Sequence, residues 1–157
     1  MSQARPVRDS EVTMTELVLP AHTNSLGTIF GGVVMSWIDI AAAIAAQRHC
    51  RRAVVTASID ALNFVAPIKA GWIANLKASV NYVSKTSMEV GVRVESENPM
   101  SGERFHTVTA YLTFVALDQM GHPMEIPKVL PETTDQKRRY ERAQKRRELR
   151  LKAKSKT

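Results

Sequence analysis

The sequence predicts an α+β fold in which a curved antiparallel sheet wraps one long central helix, followed by a basic C-terminal helix. Three observations predict it: an apolar segment at 29–46, "IFGGVVMSWIDIAAAIAA", several later segments with alternating polarity, and a basic, helix-forming C-terminus. A doubly wound α/β fold is disfavoured because helices do not alternate with the strands. The 157 residues provide one domain with a proper core.

The element order follows from local patterns. A strand at 12–18 is followed by the loop "LPAHTNSLGTI" and a helix at 32–48. Period-two alternation, typical of half-buried antiparallel strands, then predicts strands at 53–64, 72–83, 87–95 and 104–117. Such a sheet has one apolar face, and one helix is available to fill it. This is the hotdog architecture.

The net charge of +7 is concentrated at the C-terminus. Residues 128–157 hold twelve Lys/Arg and four Asp/Glu, which gives this segment a net charge of +8. Residues 1–127 therefore carry a net charge of −1. We therefore expect an N-terminal arm at 1–11, a hotdog domain at 12–127 and a basic helical extension at 128–157. Thr133 and Gln136 fit a capping box at the start of that helix. A solvated or loosely docked helix is favoured over contact with nucleic acid, an anionic membrane or an acidic ligand.

The composition indicates a cytoplasmic protein. The single cysteine, Cys50, excludes an internal disulfide framework, and the polar N-terminus lacks the apolar stretch of a secretory signal. The segment 29–46 is long enough to raise the question of a membrane span, but it opens with a glycine pair and precedes strands that need a helix to cover them. We expect no membrane span.

The histidines lack metal-ligand spacing, so no metal site is predicted.

Asp39 is the only ionisable residue within 29–46. A structural carboxylate is the simplest explanation for it. However, the preceding loop supplies Asn24, and Gly31-Gly32 begins the helix, where free amides bind oxyanions. A side-chain amide, an oxyanion hole and a carboxylate are the parts needed for acyl transfer to water.

The helix surface predicts an assembly. The bulky Val33, Trp37, Ile40 and Ile44 are expected to face the sheet, and small residues surround Asp39. Gly31 and Asp39 are eight residues apart, or ~12 Å along the axis, whereas a reacting carbonyl needs both within ~3 Å. Two antiparallel helices could supply both groups. We therefore predict an obligate dimer with composite sites at its interface.

Several separated motifs resemble the acyl-coenzyme A thioesterases of the hotdog superfamily, in the acyl-CoA hydrolase branch. They include "TNSLGTIFGGVVMSWID", "VVTASIDALNFVAPIKAG" and "YVSKTSMEVGVRVESENPMSGERF", and the resemblance covers about 12–133. It implies a thioesterase domain that hydrolyses fatty acyl-CoA to free fatty acid and coenzyme A without a metal or other cofactor. It also implies at least a dimer, with trimers of dimers among relatives.

The resemblance assigns roles to individual residues. It implies that Asp39 is the catalytic carboxylate, acting either as nucleophile or as general base. Asn24 is implied to come from the partner protomer, and the Gly31 amide is implied to polarise the thioester carbonyl. Some relatives carry a water-positioning hydroxyl one turn after the acid, where this chain has Ala43. Asn24 or Thr56 could compensate.

Further residues are expected to bind the substrate. The turn "SKTS" suits a phosphate nest for coenzyme A, and Asn63 belongs to a strand-end motif that packs the pantetheine side. The expected substrate-binding residues are Gly32, Thr56, Asn63, Ser84, Lys85, Thr86 and Ser87. The alternative function is an acyl-CoA-sensing regulator whose basic tail binds nucleic acid. The enzyme is favoured, with no nucleic-acid partner, because a sensor needs neither the helix acid nor the loop asparagine.

Overall fold

A computed structural model of the chain describes residues 3–155. Short 3-10 segments occupy Val7–Ser10 and Pro20–His22. The longer elements, in chain order, are β1 (Arg5–Pro6), β2 (Val12–Leu17), α1 (Gly31–Cys50), β3 (Ala53–Ile59), β4 (Ile73–Val83), β5 (Ser87–Glu97), β6 (Arg104–Leu117), β7 (Val129–Leu130) and α2 (Thr134–Ser155).

The main sheet has five antiparallel strands in the order β2-β4-β5-β6-β3. It curls around α1, which confirms the predicted hotdog fold. The strand predicted at 53–64 is shorter than expected and ends at Ile59. The Asp60 amide still donates to the Tyr111 carbonyl at 2.9 Å, and after an irregular segment the Val65 amide donates to the Thr107 carbonyl on β6 at 2.9 Å. β3 is therefore a short edge strand beside the central helix.

The helix α1 fills the concave face of the sheet. Its fully buried side includes Val34, Ile38, Ala41 and Ala45. The expected orientation of the bulky residues is wrong for Ile40, which is 51% exposed, although Trp37 is buried. The reason is that α1 is apolar on nearly every side, so its sequence does not mark the face that turns to the sheet. Neither helix in the described part of the chain is long and apolar enough to span a membrane.

The basic helix α2 docks on the convex face of the sheet. The Gln136 amide donates to Thr133 Oγ1 at 3.1 Å, and Gln136 Oε1 accepts from the Thr133 amide, which confirms the capping box. Ala143 is fully buried, and the Tyr140 ring meets the Tyr82 ring edge to face at 5.0 Å. The tail is therefore packed against the domain along much of its length.

One buried carboxylate anchors α2. Glu89 on β5 is 2% exposed and accepts two hydrogen bonds from the Arg146 guanidinium, at 2.9 and 2.8 Å. The same guanidinium lies 3.6 Å from the centre of the Tyr111 ring. Arg150 adds ion pairs to Asp60 at 3.2 Å and to Glu89 at 3.5 Å.

The opposite end of the chain also packs onto the domain. β1 pairs with β7 in a parallel two-stranded ribbon, and Val7 is buried beside it. His49, near the end of α1, is fully buried and donates from Nε2 to the Pro127 carbonyl at 2.6 Å. Burial lowers the pKa of His49, and this outweighs the opposing effect of that hydrogen bond.

Candidate active site

Asp39 lies on the side of α1 that faces the edge strand β3. Thr56 on that strand donates from Oγ1 to Asp39 Oδ1 at 2.8 Å. The register of β3 against β6 shifts between Thr56 and Ser58, and such irregularities re-aim side chains near functional sites. Asp39 is half-buried and accessible at the protomer surface, so a substrate or a partner subunit can approach the carboxylate.

The two glycines at the start of α1 present free amides. Phe30 precedes the helix and makes no side-chain cap, while the amides of Val33 and Val34 donate to its carbonyl. The Gly31 and Gly32 amides lie before these first helical bonds. A Cβ at Gly31 would meet only the Phe64 ring at 3.7 Å, an ordinary contact. Packing within one protomer therefore does not require glycine here.

Asn24 organises the loop before the helix. Its Oδ1 accepts hydrogen bonds from the amides of Leu26, at 2.9 Å, and Thr28, at 3.3 Å, and from the Thr28 hydroxyl. The backbone amide of Asn24 donates to the Thr28 carbonyl at 2.9 Å. Within residues 3–155 the Asn24 side-chain NH2 has no acceptor. The loop therefore fixes the Asn24 side chain through its oxygen and leaves the NH2 available as a donor.

Exposed apolar side chains flank Asp39 on α1. Met35 and Ile40 are 40% and 51% exposed. Val55 on β3 is 46% exposed but lies between Val54 and Thr56, which face α1, so its side chain points away from Asp39. Six of the seven residues of β3 are exposed in the protomer, although the strand is rich in β-branched residues. Exposed apolar side chains beside an unpaired strand edge are typical of a protein–protein interface.

A cavity of about 320 Å³ lies beside the Gly31 amide. Thr107 contributes to it from β6, at the point where the register of β5 against β6 shifts. The Thr107 hydroxyl is buried and has no hydrogen-bond partner in the described chain. The sequence analysis missed this residue, because a threonine on a strand gives no sign that a register shift re-aims it. The other lining residues are mostly apolar: Ile29, Phe64, Val65, Ala66, Pro67 and Ile68.

The hairpin expected to hold phosphates joins the end of β4 to the start of β5. The hydroxyls of Ser84 and Ser87 are 2.6 Å apart, and the Ser84 amide donates to the Ser87 carbonyl at 2.9 Å. Lys85 is exposed, and Thr86 accepts from the Ala116 amide through its carbonyl.

A second cavity, of about 390 Å³, joins this hairpin to α2. Ser84 and Ser87 line it together with Arg147 and Arg150. The cations of α2 were not part of the predicted binding set, because the sequence alone did not show that the tail reaches this hairpin. Asn63 is exposed in the segment after β3. The described residues contain no cluster of three or more side chains suited to hold a metal ion.

The fold and this arrangement of groups define a hotdog thioesterase. Residues 26–103 match the sequence profile of the thioesterase superfamily. The chain is 46% identical over 134 residues to YkhA of Bacillus subtilis, an uncharacterized acyl-CoA thioester hydrolase, covering 85% of this chain and 78% of that protein. The chain belongs to the acyl-CoA thioester hydrolase family of this superfamily.

Solved structures agree with that assignment. An apo-hexameric acyl-CoA thioesterase superimposes with a TM-score of 0.94 at 47% identity, over 97% of both chains. The acyl-CoA hydrolase of Staphylococcus aureus, solved with butyryl coenzyme A, coenzyme A and coenzyme A disulfide, gives a TM-score of 0.87 at 36% identity, over 98% of this chain and 96% of that chain.

Three structures of the Staphylococcus aureus enzyme carry single replacements by alanine, of an aspartate, a threonine and an asparagine. The separations between those three positions along its chain equal the separations between Asn24, Asp39 and Thr56 here. The same three residue types thus occur at the same spacing in both proteins.

Proposed function

We propose that this protein hydrolyses the thioester of fatty acyl-CoA to a free fatty acid and coenzyme A, with Asp39 as the catalytic carboxylate. The observation that carries the proposal is the hydrogen bond from Thr56 to Asp39, which fixes an accessible carboxylate at the edge of an apolar surface. The names of the relatives, which are acyl-CoA thioester hydrolases and thioesterases, support the same reaction.

Each active site is composite and lies between two subunits. Within one protomer the Gly31 amide and Asp39 are ~12 Å apart along the helix, too far for one carbonyl to contact both. A second copy, with its α1 antiparallel to the first, brings its own Gly31 amide and Asn24 side chain to Asp39. The exposed side chains of Met35 and Ile40 beside Asp39 are then covered. A dimer is the minimum assembly, and the hexamer of the solved relative fits a trimer of dimers.

Two chemical routes use these groups. In the first, Asp39 removes a proton from water, the hydroxide attacks the carbonyl carbon, and the Gly31 amide stabilises the oxyanion. The C–S bond then breaks, and the proton on Asp39 passes to the coenzyme A thiolate. In the second, Asp39 attacks the carbonyl directly and forms a mixed anhydride, which water hydrolyses. A single turnover in H2(18)O separates the routes, because only the anhydride can place the label in Asp39.

The substrate extends from the carbonyl in two directions. The acyl chain enters the 320 Å³ cavity beside Gly31. The coenzyme A phosphates bind at Ser84, Lys85, Thr86 and Ser87, where Arg147 supplies an additional cation. Gly32 and Asn63 contact the pantetheine arm between them. The enzyme acts in the cytoplasm, where a reducing environment suits its single buried thiol, Cys50.

The test is thiol release from acyl-CoA by the purified full-length protein. We expect Asp39→Asn to lower kcat at least 100-fold with an unchanged melting temperature, because the variant keeps the shape of the side chain but loses its charge. Asp135→Asn, at an exposed ion pair on α2, is the matched control and should keep full activity. Normal turnover by Asp39→Asn would refute the assignment. Tight acyl-CoA binding without turnover by the wild type would instead favour a regulator.

A further inference from the structure

The cavity of about 320 Å³ beside Gly31 has one polar side chain, that of Thr107, among the described residues that line it. Thr107 is 1% exposed, and its hydroxyl makes no hydrogen bond within residues 3–155. Burying a hydroxyl without a partner lowers the stability of a fold, so each such group in a folded protein requires an explanation.

A bulge in β6 places Thr107 at this cavity. The consecutive residues Val94 and Glu95 on β5 pair with Val108 and His106 on β6, so Thr107 is an extra residue that has no partner on β5. An extra residue of this kind bends its strand, re-aims its side chain and is frequent next to active sites. The strand therefore loses a regular pairing position where it borders the cavity, and stability of the sheet does not explain this residue.

The cavity has an open end and a closed end. Phe64 and Val65 line it and are 45% and 65% exposed, whereas Ile68, which also lines it, is fully buried. The Val65 amide donates to the Thr107 carbonyl at 2.9 Å, which ties this wall to the bulge. A Cβ at Gly31 would lie 3.7 Å from the Phe64 ring, so the start of α1 is at the open end. Ile68 and Thr107 form the closed end.

An acyl group whose carbonyl binds the Gly31 amide enters at the open end and extends toward Thr107. We propose that Thr107 is a specificity-determining residue, and that the site prefers short acyl groups carrying a hydroxyl or keto oxygen over alkyl groups of the same length. This inference rests on the hydrolysis proposed above. The cavity volume is near the lower limit of small-molecule sites, which favours short acyl groups. Either kind of oxygen can accept a hydrogen bond from the Thr107 hydroxyl.

The Thr107 hydroxyl can turn toward such a ligand without losing a bond. Its oxygen is buried in the free protein, so contact with an acyl oxygen requires rotation of the side chain about χ1, between staggered rotamers. In the described chain this hydroxyl has no hydrogen bond that the rotation would break. Thr109 on the same strand differs, because its hydroxyl lies 2.8 Å from His106 Nε2. Thr109 does not line the cavity and therefore provides a matched control.

The test compares kcat/KM for butyryl-CoA with the values for 3-hydroxybutyryl-, 4-hydroxybutyryl- and acetoacetyl-CoA. Thr107→Val keeps the shape of the side chain and removes the hydroxyl. It should lower the preference for at least one oxygenated substrate over butyryl-CoA about five- to tenfold, the contribution of one hydrogen bond. Comparing this ratio between variants cancels differences in the intrinsic reactivity of the thioesters. Thr107→Ser and the control Thr109→Val should keep the wild-type ratios. Unchanged ratios in Thr107→Val, or an equal change in Thr109→Val, overturn the proposal.

Thermal unfolding separates a role in specificity from a role in the fold. Thr107→Val should melt at or above the wild-type temperature, because it removes a buried hydroxyl that has no partner. A melting temperature well below that of the wild type would show that the hydroxyl stabilises the fold, which contradicts the proposal.

The same assay distinguishes failure of this inference from failure of the proposed function. If the wild type hydrolyses butyryl-CoA but Thr107→Val leaves every ratio unchanged, the role of Thr107 is refuted and the thioesterase activity stands. Turnover of palmitoyl-CoA without turnover of the four short substrates also refutes the inference alone. If the wild type hydrolyses none of these substrates, the proposed function and the inference both fail.

Discussion

Replacing Arg146 with methionine tests how the basic helix is held. Glu89 is 2% exposed, and Arg146 gives it two hydrogen bonds, one to each carboxylate oxygen. Breaking one partner of a buried ion pair costs about 3–5 kcal/mol, because the other charge is left buried and uncompensated. Asn81 still donates to Glu89 at 3.0 Å and Arg150 lies at 3.5 Å, so the lower end of that range applies. We expect a loss of about 3 kcal/mol in the free energy of unfolding.

The measurement is thermal and denaturant unfolding at one fixed protein concentration. For a chain of this length, 1 kcal/mol corresponds to roughly 2–4 °C in melting temperature, so the Arg146→Met variant should melt about 6–12 °C lower. Arg138→Met is the control, because it removes the same group from an exposed pair with Asp135. Exposed pairs contribute about 0–1 kcal/mol.

A second variant identifies the cause of the loss. In Glu89→Gln/Arg146→Met the buried charge is absent, so most of the lost stability should return, to within about 1 kcal/mol of the wild type. A drop of less than about 3 °C for Arg146→Met alone, or no recovery in the double variant, would refute the view that buried charge compensation holds α2 in place.

Two further predictions follow from single contacts. Thr56→Val should lower kcat/KM about 10–100-fold, because a hydrogen bond to a charged group contributes about 1.5–3 kcal/mol. The control Thr56→Ser keeps the hydroxyl and should keep most of the activity. Equal rates for the valine and serine variants would contradict the role of Thr56. Burial lowers the pKa of His49 from its ordinary value of 6.5, so the folded state resists protonation of this side chain. The contribution of His49 to the free energy of unfolding is therefore fully present above pH 6.5 and is lost as the pH falls through the lowered pKa. Urea unfolding between pH 8 and 5 should show this loss in the wild type and a weaker loss in His49→Gln, and equal slopes for both would exclude His49 as its source.

Strand periodicity predicted most of the sheet. The strand predicted at 104–117 coincides with the observed β6, and the predictions for β4 and β5 differ by one or two residues at the ends. Alternation works here because one face of the sheet packs on α1 and the other carries polar side chains. The alternation also predicted too long a β3, because it continues through Ala61 although the regular pairing with β6 ends at Ile59.

The sequence predicted neither the orientation of α1 nor the docking of α2, and the reasons are opposite. In α1 nearly every position is apolar, so Ile40 and Ile38 look equivalent although one is exposed and the other buried. In α2 the contacts are ionic, and a basic helix with a thin apolar stripe resembles a solvated one. The carboxylate that pairs with Arg146 lies 57 positions earlier in the chain, and no local pattern connects the two.

The contacts that hold α2 also fix the strand that carries Thr56. Arg150 pairs with Asp60, which directly follows β3, and the Asp60 amide donates to the carbonyl of Tyr111. The Tyr111 ring in turn lies under the Arg146 guanidinium. β3 is an edge strand with a register shift between Thr56 and Ser58, so these contacts limit its movement on the side away from α1. The position of the Thr56 hydroxyl against Asp39 therefore depends on arginines that lie on the opposite face of the sheet.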